Sequence, residues 1–132
     1  MKDYVAHSNQ SRCMELYAKL LQQLTQNKLY LSPDVTAARL AGILDCSPRH
    51  ISAAVQIGAN CNFNALLNGL RLKEVCRRLS SPRLIAHTVE DIGLSCGFRS
   101  RQAFYLAFER HMGVTPLQWR EAHLQKGKKR DK

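Results

Sequence analysis

The sequence lacks a long apolar segment. No stretch of its 132 residues approaches the roughly 18 uncharged apolar residues that a membrane-spanning helix needs. The first ten residues are polar and contain no apolar core of a signal peptide. We therefore expect no membrane partner for this segment and a cytoplasmic location.

Metal-binding and catalytic motifs are also missing. The chain has five cysteines, an odd number with no Cys-x-x-Cys pair: Cys13, Cys46, Cys61, Cys76 and Cys96. Free buried thiols in a reducing compartment are the expected state, with no metal and no other cofactor. His87 with Asp91, or a cysteine with a histidine, could be imagined as a catalytic pair. No nucleophile elbow, glycine-rich phosphate loop or metal motif accompanies them, so we do not expect an enzyme.

Acidic residues are few. Ten Asp and Glu stand against twenty Lys and Arg, which gives a net charge of +10. The excess lies in the second half, where residues 71–132 carry fourteen basic and six acidic side chains. A basic half favours a polyanionic partner, nucleic acid first and an acidic membrane surface second. A basic surface without such a partner remains open from charge alone.

What the chain does contain is a dense set of helix signals in residues 88–112. Thr88 and Ser100 can each cap a helix, and Gly97 and Gly113 can take the left-handed conformation that ends one. In the second helix, one face is predicted to point inward: Ala103, Phe104, Ala107, Phe108 and His111. The opposite face carries Gln102, Tyr105, Leu106 and Glu109, with Arg101 at its edge. This pattern predicts a helix-turn-helix, although a helical hairpin that only packs a core has the same pattern.

A similar unit lies earlier, in residues 36–58. Thr36 can cap its first helix, and Ser47 followed by Pro48 favours the start of its second. The two units align at an offset of 52 residues, and at 53 after one extra residue in the later copy, which pairs Ile51 with Phe104. Ala41 and Gly93 fall at matching positions, where small residues allow the two helices of each unit to cross closely. The repeat predicts two reading helices.

The second unit resembles the C-terminal signature of the AraC/XylS family of bacterial transcription regulators. The resemblance rests on the order and spacing of Gly97-Phe98, Phe104, Phe108, Gly113 and Pro116, and extends over about residues 11–124. It implies an all-α fold of about seven helices, in which a long linker helix joins the two helix-turn-helix units at a fixed separation. The expected organisation is a flexible linker (1–10), the double helix-turn-helix domain (11–124, with units 36–58 and 88–112 and linker helix 63–80) and a basic tail (125–132).

Candidate DNA-binding residues follow from the outward faces. In the first unit they are Arg49, His50, Ala53 and Gln56; in the second they are Arg99, Ser100, Arg101, Gln102, Tyr105 and Leu106. Arginine suits guanine or phosphate, and glutamine suits adenine. Leu106 and Glu109 depart from the family, which usually has basic residues there. We therefore expect the second reading helix to contact a different set of groups or to grip the backbone less tightly.

The predicted function is a sequence-specific, double-stranded DNA-binding transcription regulator, an activator by resemblance. It would read two adjacent major-groove segments with helices 48–57 and 100–112. The resemblance also implies RNA polymerase as a partner and a sensing or dimerisation domain outside this chain. The alternative is a helical protein-interaction module with degenerate or nonspecific DNA binding. DNA binding predicts strong weakening by salt, whereas an interaction module does not.

Overall fold

The computed structural model describes the backbone of residues 2–130 and the side chains of residues 9–124. Over this range the chain is helical and contains no strand, which confirms the predicted fold class. The seven α-helices are α1 (Lys2–Gln26), α2 (Ala37–Ile43), α3 (Pro48–Ala59), α4 (Phe63–Leu79), α5 (Val89–Ser95), α6 (Arg101–Met112) and α7 (Pro116–Arg130). Two short 3-10 turns span Leu29–Leu31 and Pro82–Leu84.

The chain forms two compact units, Met1–Leu67 (unit 1) and Asn68–Lys132 (unit 2). Their boundary falls inside α4. Each unit contains one helix-turn-helix: α2 and α3 in unit 1, and α5 and α6 in unit 2.

The outer limits of the first and last helices differ from the prediction. Helix α1 begins at Lys2, inside the predicted flexible linker (1–10), and α7 runs to Arg130, inside the predicted basic tail (125–132). Residues 2–10 contain neither Pro nor Gly, so nothing in them ends a helix that the later apolar stripe stabilises. The Lys and Arg of the tail are good helix formers, and one Gly127 does not stop α7. The last two residues of the predicted tail lie outside the described residues.

The predicted helix caps are present. The side-chain oxygens of Thr36, Ser47, Thr88 and Ser100 each accept a hydrogen bond from the backbone N–H three residues later. Thr115 and Gln118 form the reciprocal capping box that starts α7. Each such cap satisfies a backbone donor that the helix itself leaves unpaired. These local bonds explain why the helix starts could be predicted from the sequence.

The core of unit 1 is aliphatic. Leu20 and Leu24 of α1 are fully buried, as are Leu40 of α2 and Ile51 and Val55 of α3. Helix α1 packs on α3, and the Tyr17 ring lies so close to Gly58 that a Cβ there would come within 2.2 Å of it. Only part of the apolar face of α1 is covered. Met14 is 46% exposed, and Tyr17 and Leu21 are half-buried.

The core of unit 2 adds aromatic rings to aliphatic side chains such as Leu79 and Ile92. Phe104 and Phe108 of α6 are fully buried, and their rings contact each other at a centroid distance of 5.9 Å. Phe98 and Trp119 extend this row at 5.5 Å from Phe104 and 6.4 Å from Phe108. A Cβ on Gly93 would lie 2.5 Å from the Phe104 ring, which confirms the predicted close crossing of α5 and α6. The Phe104 ring therefore sets the distance at which α6 is held against α5.

Candidate nucleic-acid interface

The outward face of α3 carries the four residues predicted for it. Arg49, His50, Ala53 and Gln56 are all exposed. Ile51, Ala54 and Val55 of the same helix are fully buried. Burial of one side against α1 and α2 therefore leaves the predicted polar side of α3 open to a partner.

His50 has a second role that the sequence did not predict. Its Nδ1 accepts a hydrogen bond from the Ser47 N–H at 3.3 Å and lies 2.9 Å from the Ser47 Oγ. Ser47 in turn accepts from the His50 N–H, so the two residues form a reciprocal cap. A neutral imidazole that accepts at Nδ1 carries its proton on Nε2, which makes Nε2–H the donor left for a partner. The usual capping box has Glu or Gln three residues after the capping residue, so Ser-x-x-His did not predict this reciprocal cap.

The N-terminal end of α6 gathers the second predicted set. Four consecutive residues at the start of the helix are exposed: Arg99, Ser100, Arg101 and Gln102. Leu106 is exposed one turn later. Gly97 has φ +102°, which allows the tight turn that leads into them. Two residues predicted to face inward, Ala103 and His111, are instead exposed. They lie at the edges of the stripe, and His111 Nδ1 contacts the Ala107 carbonyl oxygen at 3.0 Å.

The side chain of Tyr105 is hydrogen-bonded to α5. Its hydroxyl donates a hydrogen bond to the Glu90 carboxylate, and the ring is only half exposed. This bond lowers the pKa of Glu90 and raises the pKa of Tyr105. Arg101 is close enough to act electrostatically on both groups. The side of α6 that faces α5 thus carries a polar cluster, in which the Tyr105 hydroxyl already has a hydrogen-bond partner.

Arg71 and Arg99 concentrate positive charge beside the turn before α6. Arg71 is 7% exposed, and its guanidinium carbon lies 5.8 Å from the centre of the Phe98 ring. Burial, and then the charge of Arg99, lower the pKa of Arg71. Stacking of a guanidinium on an aromatic face stabilises the buried charge. The buried Arg71 therefore packs on Phe98 in the turn before α6, while Arg99 stays exposed.

Arg120 of α7 positions the segment that leads into α5. It is 7% exposed, and its two terminal nitrogens donate to the carbonyl oxygens of Leu84 and His87, both at 2.5 Å. Its Nε is buried without a partner among the described residues. These bonds fix the start of α5 at Thr88. The sequence showed only an arginine at a position typical of the family.

In the described residues, no three His, Cys, Asp or Glu side chains come together as possible metal ligands. None of the helices described combines the length and apolar character that crossing a membrane requires. All five cysteines are free, and only Cys96 is fully buried, so the prediction of buried thiols holds for that residue alone.

Comparison with known proteins shows the family to which this pair of helix-turn-helix units belongs. A family model described as a helix-turn-helix domain matches residues 40–122, more than half of the chain. The chain belongs to the AraC/XylS family. This is a family of DNA-binding transcription regulators and not a class of enzymes, and the chain carries the family's helix-turn-helix domain.

Individual relatives of this AraC/XylS protein cover only part of it. The HTH-type transcriptional activator RhaR of Escherichia coli strain K12 is 31% identical over 81 residues, which are 61% of this chain and 28% of RhaR. RhaR of Shigella flexneri serotype 5b matches with the same figures. The chain thus matches less than a third of the length of these curated relatives.

Solved structures share the fold of this AraC/XylS domain. The C-terminal domain of AraT, a response regulator from Geobacillus stearothermophilus, superposes with a TM-score of 0.71 at 24% identity, over 81% of this chain and 84% of that one. A Listeria innocua protein of unknown function gives 0.70 at 19% identity, over 80% and 95% of the two chains. At these identities the likeness concerns the fold alone.

Proposed function

We propose that the protein is a sequence-specific transcription activator that reads two adjacent major-groove segments of double-stranded DNA with α3 and α6. The observation that carries this proposal is that each helix buries one side and exposes an arginine on the other. Arg49 and Arg101 lie within the first two residues of their helices, where recognition helices contact base edges. We place the protein in the bacterial cytoplasm, where it would meet this DNA.

The two reading helices would contribute unequally. Unit 2 presents Arg99 and Arg101 together, whereas the outward face of α3 has only Arg49. The capped starts of α3 and α6 can also offer backbone N–H groups to phosphates. Because the two faces carry different side chains, the DNA site should be asymmetric. Activation would act through RNA polymerase, and the similarity to RhaR, an HTH-type transcriptional activator, supports the activating role.

Selection of bound duplexes from a random DNA pool, using the full chain, tests the proposal. We expect two unlike motifs separated by about one helical turn, ~10 bp. A single short motif would mean that one helix reads bases. No enrichment, with or without salt-sensitive binding, would favour the alternative, a helical protein-interaction module with nonspecific DNA binding.

Arginine substitutions give a second measurement. We expect Arg101→Ala to weaken binding to the selected duplex by about 1–3 kcal/mol, roughly 5- to 150-fold, and Arg49→Ala to weaken it less. Arg83→Ala, an exposed arginine outside both helices, is the control for the loss of one positive charge. If Arg101→Ala left the affinity unchanged at moderate salt, we would abandon the DNA-reading role of α6.

A further inference from the structure

Leu106 is the most exposed large apolar side chain among the described residues, with 63% of its surface accessible. It follows Gln102 by one turn on α6 and lies on the side opposite the buried Phe104 and Phe108. The internal repeat pairs it with Ala53, which is also exposed on the outward face of α3. Both helices thus place an apolar group at the same point of the face assigned to DNA.

The groups around Leu106 limit what it could recognise. On one flank, the Tyr105 hydroxyl is engaged by Glu90 and does not extend the polar surface toward Leu106. One turn further along, Glu109 adds a negative charge that disfavours phosphate. An isobutyl group offers neither donor nor acceptor. In the major groove, the base feature that rewards apolar contact is the 5-methyl group of thymine.

We propose that Leu106 is a specificity-determining residue that selects thymine through contact with its 5-methyl group. The inference rests on the proposed function, since it requires that α6 enters the major groove. Gln102, one turn earlier, would read an adjacent base through its amide. The departure from a basic residue at this position then changes the sequence that is read without removing the contact.

Removing single methyl groups from the DNA tests the contact. In the duplex selected by the full chain, each thymine is replaced in turn by deoxyuridine, which pairs identically but lacks the 5-methyl group. We expect one replacement to weaken wild-type binding about fourfold, the effect of one methyl group buried at the interface. Leu106→Ala should bind the thymine and the uracil duplexes equally.

Two further variants sharpen the result. Leu117→Ala removes a leucine of similar exposure, 55%, from α7 in the same unit and should keep the preference for thymine. Leu106→Arg, used in a fresh selection, should replace thymine by guanine at that position. Since Leu106 is exposed, we expect all three variants to fold, and circular dichroism checks this.

The outcomes separate the two proposals. An enriched motif whose uracil effects are the same in the wild type and in Leu106→Ala would overturn the role of Leu106 alone. An enriched motif without thymine in it would do the same. A pool with no enriched duplex would overturn the proposed function, and the role of Leu106 with it.

Discussion

Leu67 in unit 1 and Arg120 in unit 2 occupy equivalent positions of the internal repeat, the fifth residue of the helix that follows each reading helix. Leu67 is 3% exposed, and Val35, just before α2, is 5% exposed. In unit 2, Arg120 binds the Leu84 and His87 carbonyl oxygens, and His87, the equivalent of Val35, is exposed. One fold therefore accepts either apolar packing or a charged hydrogen-bond clamp at the same place.

The hydrophobic cores of the two units also differ. Unit 1 packs aliphatic side chains, while unit 2 adds a row of tilted and edge-on aromatic rings, of which Phe104 lies against Gly93. Larger, stiffer side chains leave fewer ways to fill the same space, so unit 2 should tolerate changes less well. The same unit carries the greater basic charge and the larger set of candidate DNA-binding residues.

The clamp is the place where the two units should differ most. We expect Arg120→Met to lower the free energy of unfolding by about 2–4 kcal/mol, because it removes two charge-assisted bonds and leaves two carbonyl groups without them. Leu67→Met, the same replacement at the equivalent position, should cost less than about 1.5 kcal/mol. Urea denaturation monitored by circular dichroism, with the fluorescence of the single tryptophan, Trp119, reporting on unit 2, measures both. Equal costs would show that the clamp adds nothing to apolar packing.

The close crossing in unit 2 should be less tolerant than that in unit 1. We expect Gly93→Ala to destabilise the protein by about 1–3 kcal/mol, because the new Cβ meets the fully buried Phe104 ring. Gly58→Ala should cost less, since the half-buried Tyr17 can turn aside.

Gly69 provides the control of opposite sign for these two substitutions. Nothing lies within 4 Å of a Cβ placed on it, and it is exposed inside α4. Gly69→Ala should therefore stabilise the helix by roughly 0.5–1 kcal/mol. Thermal and urea denaturation of the three variants order them directly. A neutral Gly93→Ala would contradict the tight crossing.

A small loss of stability is expected from acid acting on unit 2. Hydrogen bonds from Arg77, against the cost of burial, and from Arg78 lower the pKa of Glu74 to about 2 from its ordinary 4.5. Arg78 also donates to the Ser95 Oγ at 2.8 Å and so joins α4 to α5. The folded-state pKa is depressed, so this stability is present above about pH 4.5 and is lost as the pH falls toward 2.

Glu74→Gln isolates this contribution. Because Arg77 is largely exposed, we expect the ion pairs of Glu74 with Arg77 and Arg78 to contribute only about 1 kcal/mol of stability. The variant should lose less stability than the wild type between pH 5 and 2, as followed by the denaturation midpoint. Identical pH profiles would mean that solvent screens these bonds completely.

Local signals along the chain account for what was predicted correctly in each unit. Capping residues such as Ser47 and Ser100 act on backbone groups three positions away, so their effect is visible in sequence order. The same holds for the left-handed positions Gly97 and Gly113, with φ +102° and +75°. The alternation of buried and exposed positions on α3 likewise follows from helical periodicity.

What could not be predicted depends on groups far apart in the chain. The bond from Tyr105 to Glu90 spans fifteen residues, and the bonds from Arg120 to Leu84 and His87 span more than thirty. The edges of the α1 and α6 stripes, where Met14 and Ala103 proved exposed, depend on which neighbours cover them. No periodicity encodes that coverage.

The sequence by itself determined the helices, their order, the two helix-turn-helix units and the family, because caps, glycine turns and apolar spacing act locally. Tertiary structure alone decided which polar side chains of α6 remain available. Glu90 engages the Tyr105 hydroxyl, while Leu106 is left uncovered on the outward face. The physical reason is that availability is set by packing and hydrogen bonds between helices, which exist only once the helices have come together.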